Sequence, residues 1–207
     1  NPNPQFSEAY VAYEGDGKSD GKLMVLDTRD KNSAPRITRV LSLPGSSPRR
    51  IAVNKAGDRL FVTDSTNGEL IVITRSNSTF NRSAKIPLGT NNTSLPGNGG
   101  NSVSIEGILI DDVNNRVYVA NATTDSLVVV NTQNPNTAPQ VISLRDNQIV
   151  GSNQVGPRNI AYYRNPANGQ EKLYVTGYNA SVISVIDAKN LKLIKNIPLS
   201  VNTQGRE

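Results

Sequence analysis

One four-part pattern recurs along the chain, and it leaves little choice of fold. Its most recognisable element is a short strand-forming run: Ala9-Tyr10-Val11-Ala12, Leu60-Phe61-Val62-Thr63, Val117-Tyr118-Val119-Ala120 and Leu173-Tyr174-Val175-Thr176. The aromatic residues Tyr10, Phe61, Tyr118 and Tyr174 lie 51, 57 and 56 residues apart. A second apolar run follows each: Leu23-Met24-Val25-Leu26, Leu70-Ile71-Val72-Ile73, Leu127-Val128-Val129-Val130 and Val182-Ile183-Ser184-Val185-Ile186. Each run stops at a polar residue (Asp27, Thr74, Asn131, Asp187) whose side chain can bond back to the backbone and start a turn. A third run then recurs, as in Val40-Leu41-Ser42-Leu43, Lys85-Ile86-Pro87-Leu88, Val141-Ile142-Ser143-Leu144 and Asn196-Ile197-Pro198-Leu199. Proline is tolerated where no ladder N–H is needed, so this run is an edge strand. A fourth run, Ile51-Ala52-Val53, Ile108-Leu109-Ile110 or Ile160-Ala161-Tyr162, precedes the aromatic one in the last three copies.

No window shows a helical period, and the middle runs are apolar at consecutive positions, as a sheet covered on both faces requires. Four short strands with the outer one at an edge make the blade of a β-propeller. The blades fall at about 6–44, 48–88, 105–144 and 157–199, followed by a polar tail at 200–207. The repeat exceeds the usual propeller period, and the excess lies in the loops Gly89–Gly107 and Arg145–Gly156. The first copy has no inner strand. Alternating prolines in Asn1-Pro2-Asn3-Pro4 remove ladder donors, and the tail Val201–Glu207 is too polar to supply one. Fifteen strands are thus expected where four closed blades need sixteen. This predicts an all-β arc belonging to a larger ring of roughly seven or eight blades. The expected partners are the remaining blades of the same protein or another subunit, because an open arc exposes an apolar blade face at each end.

Two segments resemble a known family. Tyr174-Val175-Thr176 followed by Ser181-Val182-Ile183-Ser184-Val185-Ile186-Asp187 is similar to the YVTN-type β-propeller repeat. Pro48-Arg49-Arg50-Ile51-Ala52-Val53, continued by Gly57-Asp58-Arg59-Leu60-Phe61-Val62-Thr63, resembles its preceding half. The resemblance extends over nearly the whole chain and implies a bacterial or archaeal surface or periplasmic propeller. Related propellers include lactonases and the propeller portions of haem enzymes.

Composition narrows the chemistry. The 207 residues include no histidine, cysteine or tryptophan. The chain therefore supplies no imidazole base, no Ser-His-Asp triad, no thiolate nucleophile and no His- or Cys-ligated metal or haem. The net charge is +5, with Lys189, Lys192 and Lys195 the densest basic run and no aromatics interleaved, so no nucleic-acid footprint is expected. No apolar stretch approaches the length of a membrane span. High Asn, Ser and Thr content without cysteine suits an extracytoplasmic protein: periplasmic, secreted or at the cell surface. The expected role is a non-catalytic scaffold or binding module with a protein or ligand partner. Alternatives are the propeller portion of a haem- or quinone-linked oxidoreductase, or a metal-dependent lactonase.

Three places could carry function. Arg49, Glu106 and Arg158 align at the start of the inner strands and, with Arg50 and Asn159, should ring the channel mouth. The arginines could capture an anion or an acidic group of a partner, or the aligned charges could form a structural ion pair across neighbouring blades. The second place is the loop Glu14–Gly21. The aromatic-to-polar-stop count is 17 in the first copy and 13 in the others. Glu14, Asp16 and Asp20 among glycines could surround calcium, although Lys18 would oppose a cation; a longer solvated hairpin is the alternative. No other cofactor is expected. The third is the long polar loop Gly89–Asn101, suited to partner contact.

Overall fold

The computed structural model describes residues 7–15, 20–30, 32–89, 104–146 and 154–199. The described residues form fifteen strands and no helix. Blade one is a three-stranded sheet of β1 (Glu8–Tyr13), β2 (Gly21–Asp27) and β3 (Arg36–Leu43). Blade two contains β4 (Pro48–Val53), β5 (Arg59–Asp64), β6 (Glu69–Ser76) and β7 (Thr79–Pro87). Blade three contains β8 (Ile105–Asp111), β9 (Arg116–Asn121), β10 (Ser126–Asn131) and β11 (Gln140–Ser143). Blade four contains β12 (Pro157–Arg164), β13 (Glu171–Gly177), β14 (Val182–Asp187) and β15 (Lys192–Pro198). Every pairing is antiparallel between strands adjacent in sequence.

Side-chain alternation stacks the blades. In β5, Leu60 and Val62 join the core shared with blade one, while Phe61 joins the core shared with blade three. In β9, Val117 and Val119 face blade two and Tyr118 faces blade four. The consecutive apolar residues of the middle strands therefore fill two interfaces at once, and all of these residues are buried. At the two ends the described residues give the same alternation no neighbouring blade to meet. In blade one Tyr10 and Leu23 face blade two, so Val11, Tyr13, Met24 and Val40 face away; Val11, Tyr13 and Val40 are exposed. In blade four Leu173 and Val175 face blade three, so Tyr163, Tyr174 and Ile197 face away, and Tyr163 and Ile197 are exposed.

A polar clasp repeats at the rim of each interface. The first residue of β5, Arg59, donates to the carbonyl of Thr132, just past β10 in the next blade. The first residue of β9, Arg116, donates to the carbonyl of Ala188, just past β14, at 2.6 Å. Between blades one and two the polarity is reversed: Glu8, at the start of β1, accepts from Arg75 of β6. Lys172 holds the equivalent position in blade four, beyond which the described residues place no blade.

The inner strands crowd together: β4 packs on β8, and β8 on β12. Gly107 marks the tightest approach, since a Cβ there would lie 2.1 Å from the backbone oxygen of Arg158.

Two stability changes are expected in denaturant melts. Gly107→Ala should cost about 1–3 kcal/mol, because a methyl must push two packed backbones apart; an unchanged midpoint would show that the inner strands part freely. Arg116→Met should cost about 1–3 kcal/mol through the lost charge-assisted bond and the unpaired carbonyl. The control Lys172→Met should cost little, and equal losses would disprove the interblade clasp.

Candidate functional site

Each inner strand carries a β-bulge near its start. Register shifts fall between Pro48 and Ile51, between Ile105 and Gly107, and between Pro157 and Ile160. Bulges re-aim side chains out of the ladder. The residues inside these shifts are Arg49 and Arg50, Glu106, and Arg158 and Asn159. In two blades a threonine on the neighbouring strand fastens the bulge. The Arg50 N–H donates to Thr63 Oγ1 at 3.0 Å, and the Asn159 N–H donates to Thr176 Oγ1 at 3.1 Å. In blade three the corresponding residue is Ala120, which pairs with Gly107 directly after the shift and offers no hydroxyl.

These bulges bring Arg49, Arg50, Glu106 and Arg158 around one cavity of about 380 Å³, which Glu14 also lines. Asn159 is exposed and does not line it; only its backbone is fastened. Arg49 spans the mouth. Its Nε lies 3.1 Å from Glu14 Oε1 on the blade-one side, and its Nη1 lies 3.4 Å from Glu106 Oε1 on blade three. Arg50 Nε donates to the Glu106 carbonyl at 2.8 Å. The Ser104 hydroxyl donates to Glu106 Oε1 at 2.6 Å, and the Ser65 hydroxyl to Glu14 Oε1 at 3.4 Å. Arg49 is therefore an interblade ion pair. The Glu14 side chain is largely solvated, so its contact contributes roughly 0–1 kcal/mol, whereas the Glu106 side chain is only 15% exposed.

Arg158 differs. Its guanidinium lies 4.2 Å from the ring centroid of Tyr178, a cation–π contact between two exposed residues. Among the described residues no carboxylate pairs with it. Three guanidinium groups thus face two carboxylates, leaving one positive charge uncompensated at the mouth. Both carboxylates are engaged by Arg49, which makes them poor candidates for a free base or a metal ligand.

The loop singled out for calcium divides. Asp16 lies outside the described residues, as do most of the long loop 89–101 and the tail 200–207. Glu14 turns to Arg49, and Asp20 Oδ1 accepts the Gly45 N–H at 3.0 Å. Among the described residues no group of three acidic side chains is gathered as a cation would need. Sequence reasoning did not place Glu14 at the channel mouth, although the four extra residues of its hairpin were the available signal. Tyr178 gave no signal, because it lies in a turn where the other copies have Glu14, Ser65 and Ala122.

The sequence matches no protein-family model and no curated protein. Solved structures do resemble the chain. A candidate 6-phosphogluconolactonase of Bacteroides uniformis superposes with a TM-score of 0.73 at 14% identity, over 97% of this chain and 56% of its own. A periplasmic gluconolactonase of Pseudomonas aeruginosa gives 0.67 at 17% identity, over 94% and 51%. The β-propeller domain of Cps50 (Swd1) from Myceliophteria thermophila gives 0.61 at 13% identity, over 96% and 53%. The chain thus spans little more than half the length of these structures. At such identities the likeness concerns architecture alone, and with the stacked four-stranded sheets it shows that this chain is folded as part of a β-propeller.

Proposed function

We propose that the chain is a binding module, non-catalytic in itself, whose channel mouth receives an acidic group of a protein partner. The observation that carries this reading is Arg158: a guanidinium resting on Tyr178, at the edge of a cavity already rich in arginine, with no carboxylate partner among the described residues. A bidentate guanidinium–carboxylate pair is the strongest contact such a group can make. The absence of histidine and cysteine, and the engagement of Glu14 and Glu106 by Arg49, speak against chemistry at this mouth. The open apolar faces of blades one and four would be covered by further blades, from the same protein or from another subunit. Composition and the likeness to a periplasmic gluconolactonase support an extracytoplasmic location.

A second reading is a sugar-lactone hydrolase, favoured by the names of two structural neighbours. In that case Glu106, with the Ser104 hydroxyl beside it, would be the group to orient a water.

Calorimetric titration with a tetraglutamate peptide separates the two. Saturable binding should weaken about tenfold, or about 1.4 kcal/mol, in Arg158→Gln, and the melting temperature should not change. Binding that is absent, or indifferent to Arg158, overturns the proposal. Hydrolysis of glucono-δ-lactone by the purified chain, lost in Glu106→Gln, would put the lactonase reading in its place.

A further inference from the structure

A second polar cavity lies between blades one and two, at the opposite ends of their strands from the channel mouth. The channel mouth is built where β4, β8 and β12 begin and β1 ends; this one is built where β1 begins, β2 ends and the β6–β7 hairpin turns. It has a volume of about 310 Å³, within the usual range for small-molecule sites. Its floor is Phe80, which packs edge-on against Tyr10 with ring centroids 6.3 Å apart. Two guanidinium groups rest on the Phe80 ring, Arg75 at 5.3 Å and Arg39 at 5.7 Å from the centroid.

The two arginines are in different states. The Arg75 side chain is 6% exposed and is held by both oxygens of Glu8 and by the Tyr10 hydroxyl at 3.0 Å. Its charge is spent inside the fold, as the interblade clasp. Arg29 is likewise engaged by Asp27, whose carboxyl it holds down at about 2, so that pair is ionised and mutually neutralised at neutral pH. Arg39 is exposed, and among the described residues no carboxylate pairs with it. The cavity therefore combines one uncompensated guanidinium, an apolar wall of Phe80 and Val25, and the hydroxyl-bearing residues Ser7 and Ser78.

We propose that this interblade cavity is a second binding site, for a small organic anion whose phosphate or carboxylate meets Arg39 and whose apolar body lies on Phe80. Arg75 positions Phe80 and is not a ligand group itself. An inorganic anion would use the charge alone. An aromatic or otherwise flat acid would use both the charge and the ring, and should bind more tightly. The site is separate from the channel mouth, and its occupation would not require the acidic partner proposed there.

Phenyl phosphate, phenylacetate and inorganic phosphate serve as probes in calorimetry on the intact chain. Phenyl phosphate or phenylacetate should bind saturably in the millimolar range or below, and at least one of them more tightly than inorganic phosphate. Arg39→Gln should weaken that binding about tenfold or more with no change in melting temperature, since the residue is exposed. Phe80→Leu should weaken the aromatic acids and leave inorganic phosphate as it was. Arg158→Gln should have no effect. The proposal is overturned if neither aromatic acid binds, if Arg39→Gln binds as the parent does, or if Arg158→Gln removes the same binding. The relative strength of the phosphate and carboxylate probes then identifies which acid the site prefers.

Discussion

Every middle strand in this chain must bury both of its faces, and that requirement governs the rest of the structure. A sheet such as β4–β7, with Leu60, Val62 and Ile71 on one face and Phe61, Leu70 and Val72 on the other, cannot stand alone in water. Its only solution is a neighbour of the same kind on each side. Stacking follows from alternation, and repetition of the sequence follows from stacking. The arc is then stitched at its rim by polar contacts whose chemistry varies while their position does not. Arginine-to-carbonyl bonds serve two interfaces, and the Glu8–Arg75 pair serves the third.

Packing the sheets this closely draws the inner strands together, and that is where function can enter. Straight inner strands would turn their side chains into the stacked interfaces. The bulges at Arg49-Arg50, Glu106 and Arg158-Asn159 release a few side chains from that duty and turn arginines toward the channel mouth. Gly107 permits the approach of β8 to β12, and Thr63 and Thr176 satisfy the backbone that the bulges free. The site is thus a by-product of local departures from regular pairing, supported by a rigid repeat.

Most of the fold was legible because it rests on periodic apolar residues. The aromatic at Tyr10, Phe61, Tyr118 and Tyr174, the polar stops and the proline-bearing outer runs each mark one strand, and the three strands that the described residues give blade one agree with the count. The alignment of Arg49, Glu106 and Arg158 was legible for the same reason. What they touch was not. Glu14 reaches Arg49 across 35 residues of sequence, and Tyr178 meets Arg158 from a turn. Such contacts depend on the close approach of blade ends, which periodicity does not encode. The Glu8–Arg75 clasp was hidden likewise, because its charges reverse the pattern of the other interfaces.

Arg49 is tied to Glu14 and Glu106 within the fold, whereas Arg158 is the residue proposed to receive an acidic group. The guanidinium N–H signals of the arginines in a nitrogen-15 NMR spectrum test this directly, followed as tetraglutamate peptide is added. The expected result is a saturable shift of the Arg158 Nε–H signal, with the Arg49 signal unmoved. A spectrum in which Arg158 does not respond, or in which Arg49 moves in its place, would contradict it.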